Sequence, residues 1–456
     1  MKNLRPRALL VLIVVIACFG LSAAERRPLI VLSIDGLRPD YIQDADKYGL
    51  KIPTLRQLVA HGVHASGVRG VLPTVTYPSH TTMLTGVWPA KHGIYSNTTF
   101  DPEAKNKDGW YWYSEDIRTP TLWDAASKAG YTVGSVSWPV SVGAKSVRYL
   151  IPEYWRAMTP DDLKLLRALS TPGLMADLQK TAGPYTTNLD DAIPGDWDRT
   201  RYAAALIRQK HVDFLTFHFA AFDHLEHAAG PFSPIALSTL EEIDKMVAML
   251  VEAVRSGTPK AIVCIVSDHG FAKVDHVFNL DQAFVKAGLI RVKSKQGSLD
   301  SSGVTSWKAE PWSSGGSAAI VLKDKSDPAV RQQVKGLLER LAAEPGNGIA
   351  KILDRSEIAT LGGTPEAEFF VDMMPGYVIG GVLDGPLVQA VSLRGAHGYS
   401  PTHPEMRAYF LISGPGIREG LDIGDIDMRS IAPTLANVLG VPFPSAELKP
   451  LPISGN

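Results

Sequence analysis

The sequence predicts an α/β fold: a mostly parallel central sheet with helices on both faces. Two observations carry that expectation. Three short apolar runs end abruptly in a polar or acidic residue: Leu29 to Ile34 before Asp35, Phe214 to Ala221 before Asp223, and Ala261 to Val266 before Ser267-Asp268. Continuous apolar runs of that length fit strands covered on both faces. Between them lie helical patterns, the clearest being Leu240, Ile243, Met246, Val247, Leu250, Val251 and Val254, with Gly257 available as a C-terminal stop. Strand alternating with helix is the pattern of a parallel sheet. In such sheets ligands gather at the carboxyl ends of the strands, and the three acidic residues all fall there.

Taken in chain order, the first element is an export signal. Lys2, Arg5 and Arg7 precede an apolar run from Ala8 to Phe19, and Ser22-Ala23-Ala24 suits cleavage before Glu25. The run is too short to cross a membrane. Val15-Ile16-Ala17-Cys18 also matches a bacterial lipoprotein box, with Cys18 as the lipidated residue. Residues 1–24 therefore read as a signal peptide, and the expected location is periplasmic or secreted, either soluble or held to the membrane through Cys18. Removing them leaves 43 basic against 47 acidic side chains, a formal charge of -4. A chain of that charge has no basic surface for long nucleic acid, so any nucleotide chemistry concerns small molecules.

Residues 25–456 read as one large domain of ordinary globular composition, 45% hydrophobic and 20% charged over the whole chain. The segment from about 150 to 200, rich in Pro, Trp and Asp, reads as loops or short helices over the site. From about 290 to 390, the apolar runs Ala318 to Leu322 and Phe369 to Val371 flank an amphipathic stretch, Val330 to Leu341; this reads as a small inserted subdomain, a lid. Cys264 lies inside an apolar run and reads as a buried strand thiol. With Cys18 cleaved away or lipidated, no internal disulfide is expected.

The chemistry is carried by Asp35, the pair Asp223 and His227, the adjacent Asp268-His269, and His397. Carboxylate and imidazole together suit zinc, and the scarcity of thiols argues against a structural cysteine site. Each alone is an ordinary turn or loop residue. Their joint context differs: each follows a predicted strand or sits in a glycine-flanked turn, as in Ile34-Asp35-Gly36, Ser267-Asp268-His269-Gly270 and Gly395-Ala396-His397-Gly398. Six donors divide into two three-ligand positions, each with coordination left open for substrate. A second signal is Leu72 to His80, with Thr76-Tyr77-Pro78 at its centre. A hydroxyl just ahead of a proline can stand at the mouth of a helix, where free N–H groups face outward. That suits a nucleophile attacking phosphorus, although a hydroxyl N-cap is the commoner role.

These segments resemble, in family order, the nucleotide pyrophosphatase/phosphodiesterase branch of the alkaline phosphatase superfamily: Ile34-Asp35-Gly36, Thr76 to His80, Pro89 to Ile94 with Asn97, Ser137-Trp138-Pro139, Asp223 with His227, Ser267 to Gly270, and Gly395 to Tyr399. The resemblance implies an alkaline-phosphatase-like sheet and two zinc ions. Asp223, His227 and His397 would hold one ion, and Asp35, Asp268 and His269 with the Thr76 oxygen the other. It makes Thr76 the nucleophile and Asn97 an amide donor to a non-bridging oxygen, with the metals about 4 Å apart. The implied substrate is a small phosphate diester or nucleotide. The chain departs from the family at Ser79, where many members carry Asn, and at His218, where many carry a Tyr that stacks on the nucleobase. Tyr77 still offers one aromatic face, so the resemblance implies a base slot at Tyr77 and His218 that is weakened by the change, and diester chemistry is better marked than nucleotide preference.

Three other readings share part of this pattern. A phosphomonoesterase would keep every metal ligand and add a group for the third phosphate oxygen; Lys145 and Arg148 fall in the right neighbourhood but read as surface charges. A sulfatase needs Cys or Ser where Thr76 stands. A non-catalytic exported metal-dependent binding protein would keep the fold and lose turnover.

Overall fold

The computed structural model describes residues 27–106, 109–155, 160–186, 192–295 and 298–455; the expected signal segment, with Cys18, lies outside the described residues. At its centre is an eight-stranded sheet. Its strands run, edge to edge, Leu421–Asp422, Gly62–His64, Phe410–Ser413, Ile262–Val266, Leu29–Ile34, Phe214–Phe219, Val133–Val136 and Tyr149–Ile151. Every pairing is parallel except those of Phe410–Ser413, which runs against both its neighbours.

The apolar runs are continuous because successive side chains feed two cores. Ile30, Leu32, Ile34, Leu215, Phe217, Phe219, Val263 and Ile265 pack one face, under the helix Pro234–Gly257. Leu29, Val31, Phe214, Ile262, Cys264 and Val266 pack the other, against Met83, Leu84 and the helix Ile431–Leu439. Alternation of this kind is what period-2 geometry demands of a sheet buried on both sides. Cys264 is fully buried, and burial pushes its thiol up, as expected of a strand thiol.

In Pro234–Gly257 the predicted stripe from Leu240 to Val254 is buried throughout, Ser233 caps the start, and the proline occupies the first turn, where its missing N–H costs nothing. The helix runs through Gly257 rather than stopping before it: Thr258, extended at φ -149°, is the cap, and its N–H still reaches Val254 O at 2.9 Å. The Pro, Trp and Asp-rich segment is more helical than loop-like, with helices at Pro160–Leu169, Leu174–Ala182 and Ile193–Lys210.

The chain leaves the central sheet after Val266 and rejoins it at Phe410. In between, Ala309–Ser313, Ser317–Leu322, Ala367–Met373 and Ile349–Asp354 form an antiparallel sheet backed by the helix Pro328–Ala342. A second sheet joins Ala272–Asn279 to Gly376–Gly380 and Val388–Ala396.

Candidate active site

Five chain segments meet at the carboxyl ends of Leu29–Ile34, Phe214–Phe219 and Ile262–Val266. Asp35 follows the first strand, and its N–H still bonds Phe219 O at 3.0 Å, extending the ladder by one residue. Gly36 turns the chain away at φ +75° and donates its N–H to Asp268 Oδ1 at 3.2 Å. A Cβ at Gly36 would lie 2.9 Å from Glu226 Oε2 and 3.0 Å from the Phe271 ring, so only glycine fits. Asp268 and His269 leave the strand Ile262–Val266 and are fully buried.

Asp223 and His227 lie one turn apart on the helix Ala221–Ala229, which places them on one face. Asp196 fixes where that helix begins, its two carboxylate oxygens accepting from Ala220 N at 3.2 Å and Ala221 N at 3.0 Å. His397 ends the strand Val388–Ala396; its segment is zipped to the one before Thr76 by Gly398 N to Thr74 O at 2.9 Å and Thr74 N to Tyr399 O at 3.2 Å.

Thr76 is the first residue of the helix Thr76–Thr85. Its cap position, Val75, supplies no side-chain oxygen, so Thr76 is not an N-cap. Pro78 falls in the first turn, where a helix has no internal acceptor for the N–H in any case. Asn97 Oδ1 accepts the Tyr77 N–H at 2.9 Å, which fixes the amide and leaves its NH2 as the remaining polar group beside Thr76.

The histidines share one arrangement. In each, Nδ1 faces a backbone carbonyl: His227 to Gly395 O at 3.1 Å, His269 to Gly270 O at 3.2 Å, and His397 to Thr74 O at 3.1 Å. Each Nε2 turns to the centre. His269 Nε2 lies 3.2 Å from Asp268 Oδ2, 3.3 Å from Asp35 Oδ1 and 3.4 Å from Thr76 Oγ1; His397 and His227 Nε2 each lie 3.5 Å from an Asp223 oxygen. A carbonyl on Nδ1 fixes the tautomer that offers the Nε2 lone pair, as metal-binding histidines require. Burial lowers His269 to about 3, and holds His397 well below its usual range, with His269 and His227 adding to the effect; both rings are therefore neutral ligands.

Asp35 is pushed the other way, well above the usual carboxylate range, by burial first and then by Asp268, Asp223 and Glu153. Asp35 Oδ1 and Asp268 Oδ2 are buried with no hydrogen-bond partner. Neutral imidazoles, crowded carboxylates and unsatisfied oxygens aimed at one another form a donor set that a divalent cation completes. Two groups of three donors lie within 4.8 Å of one another, Asp35 with Asp268 and His269, and Asp223 with His269 and His397. The second differs from the expected trio: His269 stands in it, and His227, 42% exposed at the rim, reaches only Asp223.

Both residues expected to line the base slot, Tyr77 and His218, are buried. Tyr77 is 1% exposed, its hydroxyl donates to Glu153 Oε1 at 2.7 Å, and its ring meets Trp110 and Trp112. His218 is 2% exposed, with Nε2 3.0 Å from Asp35 Oδ2 and Nδ1 3.3 Å from Glu153 Oε2. Nε2 is hydrogen-bonded to Asp35, whereas Nδ1 meets Glu153 at ion-pair distance without a hydrogen bond. Lys145 and Arg148 are exposed, as expected of surface charges, and Lys145 borders a separate cleft of about 470 Å³ with Tyr113, Glu115 and Asp124.

Sequence reasoning missed Glu153, Asp196 and the role of His80. His80 lies four residues along the helix from Thr76, with Nδ1 2.8 Å from Thr76 O and Nε2 2.8 Å from Ser33 Oγ; burial lowers it to about 3. Its place inside the Thr76 motif was the available signal. For Glu153, isolated after an edge strand, there was none.

Comparison with known proteins adds to this. The family model for type I phosphodiesterase / nucleotide pyrophosphatase matches residues 29–400. Ectonucleotide pyrophosphatase/phosphodiesterase family member 3 of Bos taurus is 27% identical over 257 residues, covering 53% of this chain and 25% of that protein. Venom phosphodiesterase CdcPDE of Crotalus durissus collilineatus is 26% identical over 256 residues, covering 55% and 27%. Human family member 5 is 25% identical over 280 residues, covering 58% and 49%. The matches thus span about a quarter of the first two relatives and half of the third. Among solved structures, human ectonucleotide pyrophosphatase / phosphodiesterase 5 superposes at TM-score 0.64 with 20% identity, covering 94% of this chain and 97% of that one. An inactive threonine-to-alanine variant of the murine protein, in complex with AMP, gives TM-score 0.63 at 20% identity over the same shares. At that identity the likeness establishes the fold.

Proposed function

The chain belongs to the type I phosphodiesterase / nucleotide pyrophosphatase family, and on that premise we propose that it hydrolyses phosphodiester or phosphoanhydride bonds of small, nucleotide-like substrates through a covalent intermediate on Thr76. One observation carries the proposal: the Thr76 hydroxyl, first in its helix, lies 3.4 Å from His269 Nε2 inside a cluster of neutral imidazoles and unsatisfied carboxylate oxygens.

Asp35, Asp268 and His269 would hold one zinc ion beside Thr76, and Asp223 and His397, with His227 at the rim, a second. Bound there, the ions would supply Lewis-acid stabilisation of the developing oxyanions and lower the pKa of the threonine hydroxyl. The Thr76 hydroxyl gives its proton to solvent as its oxygen attacks phosphorus in line, and the ester or anhydride oxygen on the far side departs with the bonding pair and is protonated as needed by solvent, leaving the remaining substituent on a Thr76 phosphodiester. Water then attacks phosphorus and loses a proton, and the Thr76 oxygen leaves with the bonding pair and is reprotonated. The Asn97 amide, pinned through its oxygen to Tyr77 N–H, donates to a non-bridging oxygen.

Export before Glu25, or lipid attachment at Cys18, belongs to the same proposal, since the relatives are named as ecto-proteins and venom enzymes. Among the described residues no helix is long and apolar enough to cross a membrane.

The test strips the purified chain with a chelator and restores zinc, following a nitrophenyl diester throughout. Loss and recovery of turnover with two zinc equivalents is expected. Turnover that survives metal removal would refute the proposal.

A further inference from the structure

Glu153 is a buried carboxylate that none of the steps above uses. It follows the edge strand Tyr149–Ile151, is 9% exposed, and its backbone N–H reaches Ser141 Oγ at 3.3 Å. Its two oxygens diverge. Oε1 accepts the Tyr77 hydroxyl at 2.7 Å, and Oε2 lies 3.3 Å from His218 Nδ1. Beyond His218, Nε2 meets Asp35 Oδ2 at 3.0 Å, while Asp35 Oδ1 faces His269 Nε2 at 3.3 Å. One carboxylate is thus tied on one side to the residue after Thr76 and on the other, through a single imidazole, to Asp35.

We propose that Glu153 is a positioning residue that sets the orientation of Asp35 and the first turn of the Thr76 helix together; this rests on the reading of Asp35 as a metal ligand and Thr76 as the nucleophile. A carboxylate can rotate about its terminal torsion, and a ligand free to rotate binds poorly. Asp35 cannot, because one oxygen is held by His218 and the other is left for the centre. His218 is confined in turn by the Glu153 carboxylate 3.3 Å from its far nitrogen and by the His80 ring edge-on at 4.7 Å. Burying a carboxylate is costly unless it is paired. Glu153 accepts the Tyr77 hydroxyl on Oε1 and faces His218 across an ion-pair distance on Oε2, so removing Glu153 loosens both halves of the centre at once.

The experiment uses full-length Glu153→Ala, Glu153→Gln and Tyr77→Phe, with zinc affinity measured by chelator competition, kcat and KM on a nitrophenyl diester, and the 15N resonance of His218 Nδ1. Glu153→Ala should bind zinc about 10- to 100-fold more weakly and lose kcat by a similar factor, with KM within about twofold. Tyr77→Phe should lower kcat while zinc affinity stays at the wild-type value. Glu153→Gln, which keeps an acceptor for Tyr77 but loses the one for His218, should weaken zinc while losing less kcat than Glu153→Ala. Wild-type zinc affinity in Glu153→Gln overturns the proposal even if Glu153→Ala does not fold. A raised KM with kcat intact also overturns it, because Glu153 would then be touching substrate. If the wild-type chain turns over no diester, the functional reading fails, while an unmoved His218 Nδ1 resonance in Glu153→Gln would independently sink the positioning link.

Discussion

Replacing Asp196 with alanine should destabilise the protein by about 4 kcal/mol and displace the metal site with it. Asp196 is fully buried at the start of Ile193–Lys210. It pairs with Arg199 at 2.5 Å, itself 3% exposed, and accepts the N–H groups of Ala220 and Ala221 that open the helix carrying Asp223 and His227. Removing one partner of a buried ion pair costs about 3–5 kcal/mol, because the other charge is left uncompensated. Each backbone N–H left unsatisfied costs about 1–3 kcal/mol if water cannot reach it. These contributions overlap, since water entering for Arg199 also serves the amides, so the loss is expected to stay near that of the ion pair alone. Urea unfolding at pH 7 measures the stability, and zinc stoichiometry on the folded fraction reports the site. Asp196→Ala with Arg199→Met should recover part of the stability, because the stranded charge is gone. A loss below about 1 kcal/mol with zinc binding unchanged would refute the reasoning.

Asp268→Ala should deplete zinc after gel filtration, since Asp268 is one of three donors around its position, whereas His227→Ala, at the rim, should deplete it less; equal retention in both would show the donor assignment to be wrong. Diesters should be preferred to monoesters, because the two candidate cations for the third oxygen of a monoester dianion, Lys145 and Arg148, are exposed surface charges; a monoester preference lost in Lys145→Ala or Arg148→Ala would reverse that assignment. His403 is raised above its usual value by its hydrogen bond to Asp372 and is partly buried, so its contribution is fully present below about pH 6.5 and is lost as pH rises through the raised folded value. The gap in urea midpoint between wild type and His403→Gln should accordingly be widest in mild acid and narrow by pH 9; a gap that widens with pH would contradict this.

The central sheet was legible because its strands are buried on both faces, which writes an unbroken apolar run ending at the residue that matters. Asp35 and Asp268 could be placed just past strand ends for that reason alone, whereas Asp223, expected in the same position, lies in the first turn of the helix that follows Phe214–Phe219. The antiparallel strand Phe410–Ser413 has the same apolar character as its parallel neighbours, so its direction was invisible. The covering of Tyr77 was not legible, because residue type reports what a ring could stack on, not whether it is buried: Trp110, Trp112 and Glu153 arrive at Tyr77 from distant segments. Asp196 looked like any acidic residue in a helical first turn, and its real partners lie 24 and 25 residues ahead.

The central claim is that Thr76 carries the phosphoryl group, and rapid acid quench with peptide mapping tests it most directly. Zinc-loaded wild type mixed with bis(4-nitrophenyl) phosphate should yield a Thr76 peptide bearing a nitrophenylphosphoryl ester. Thr76→Ala should retain its zinc, give no adduct, and lose kcat by about 10³-fold or more, as removal of a covalent nucleophile does. Thr76→Ala turning over within about tenfold of wild type, with no adduct on the wild-type peptide, would contradict the account.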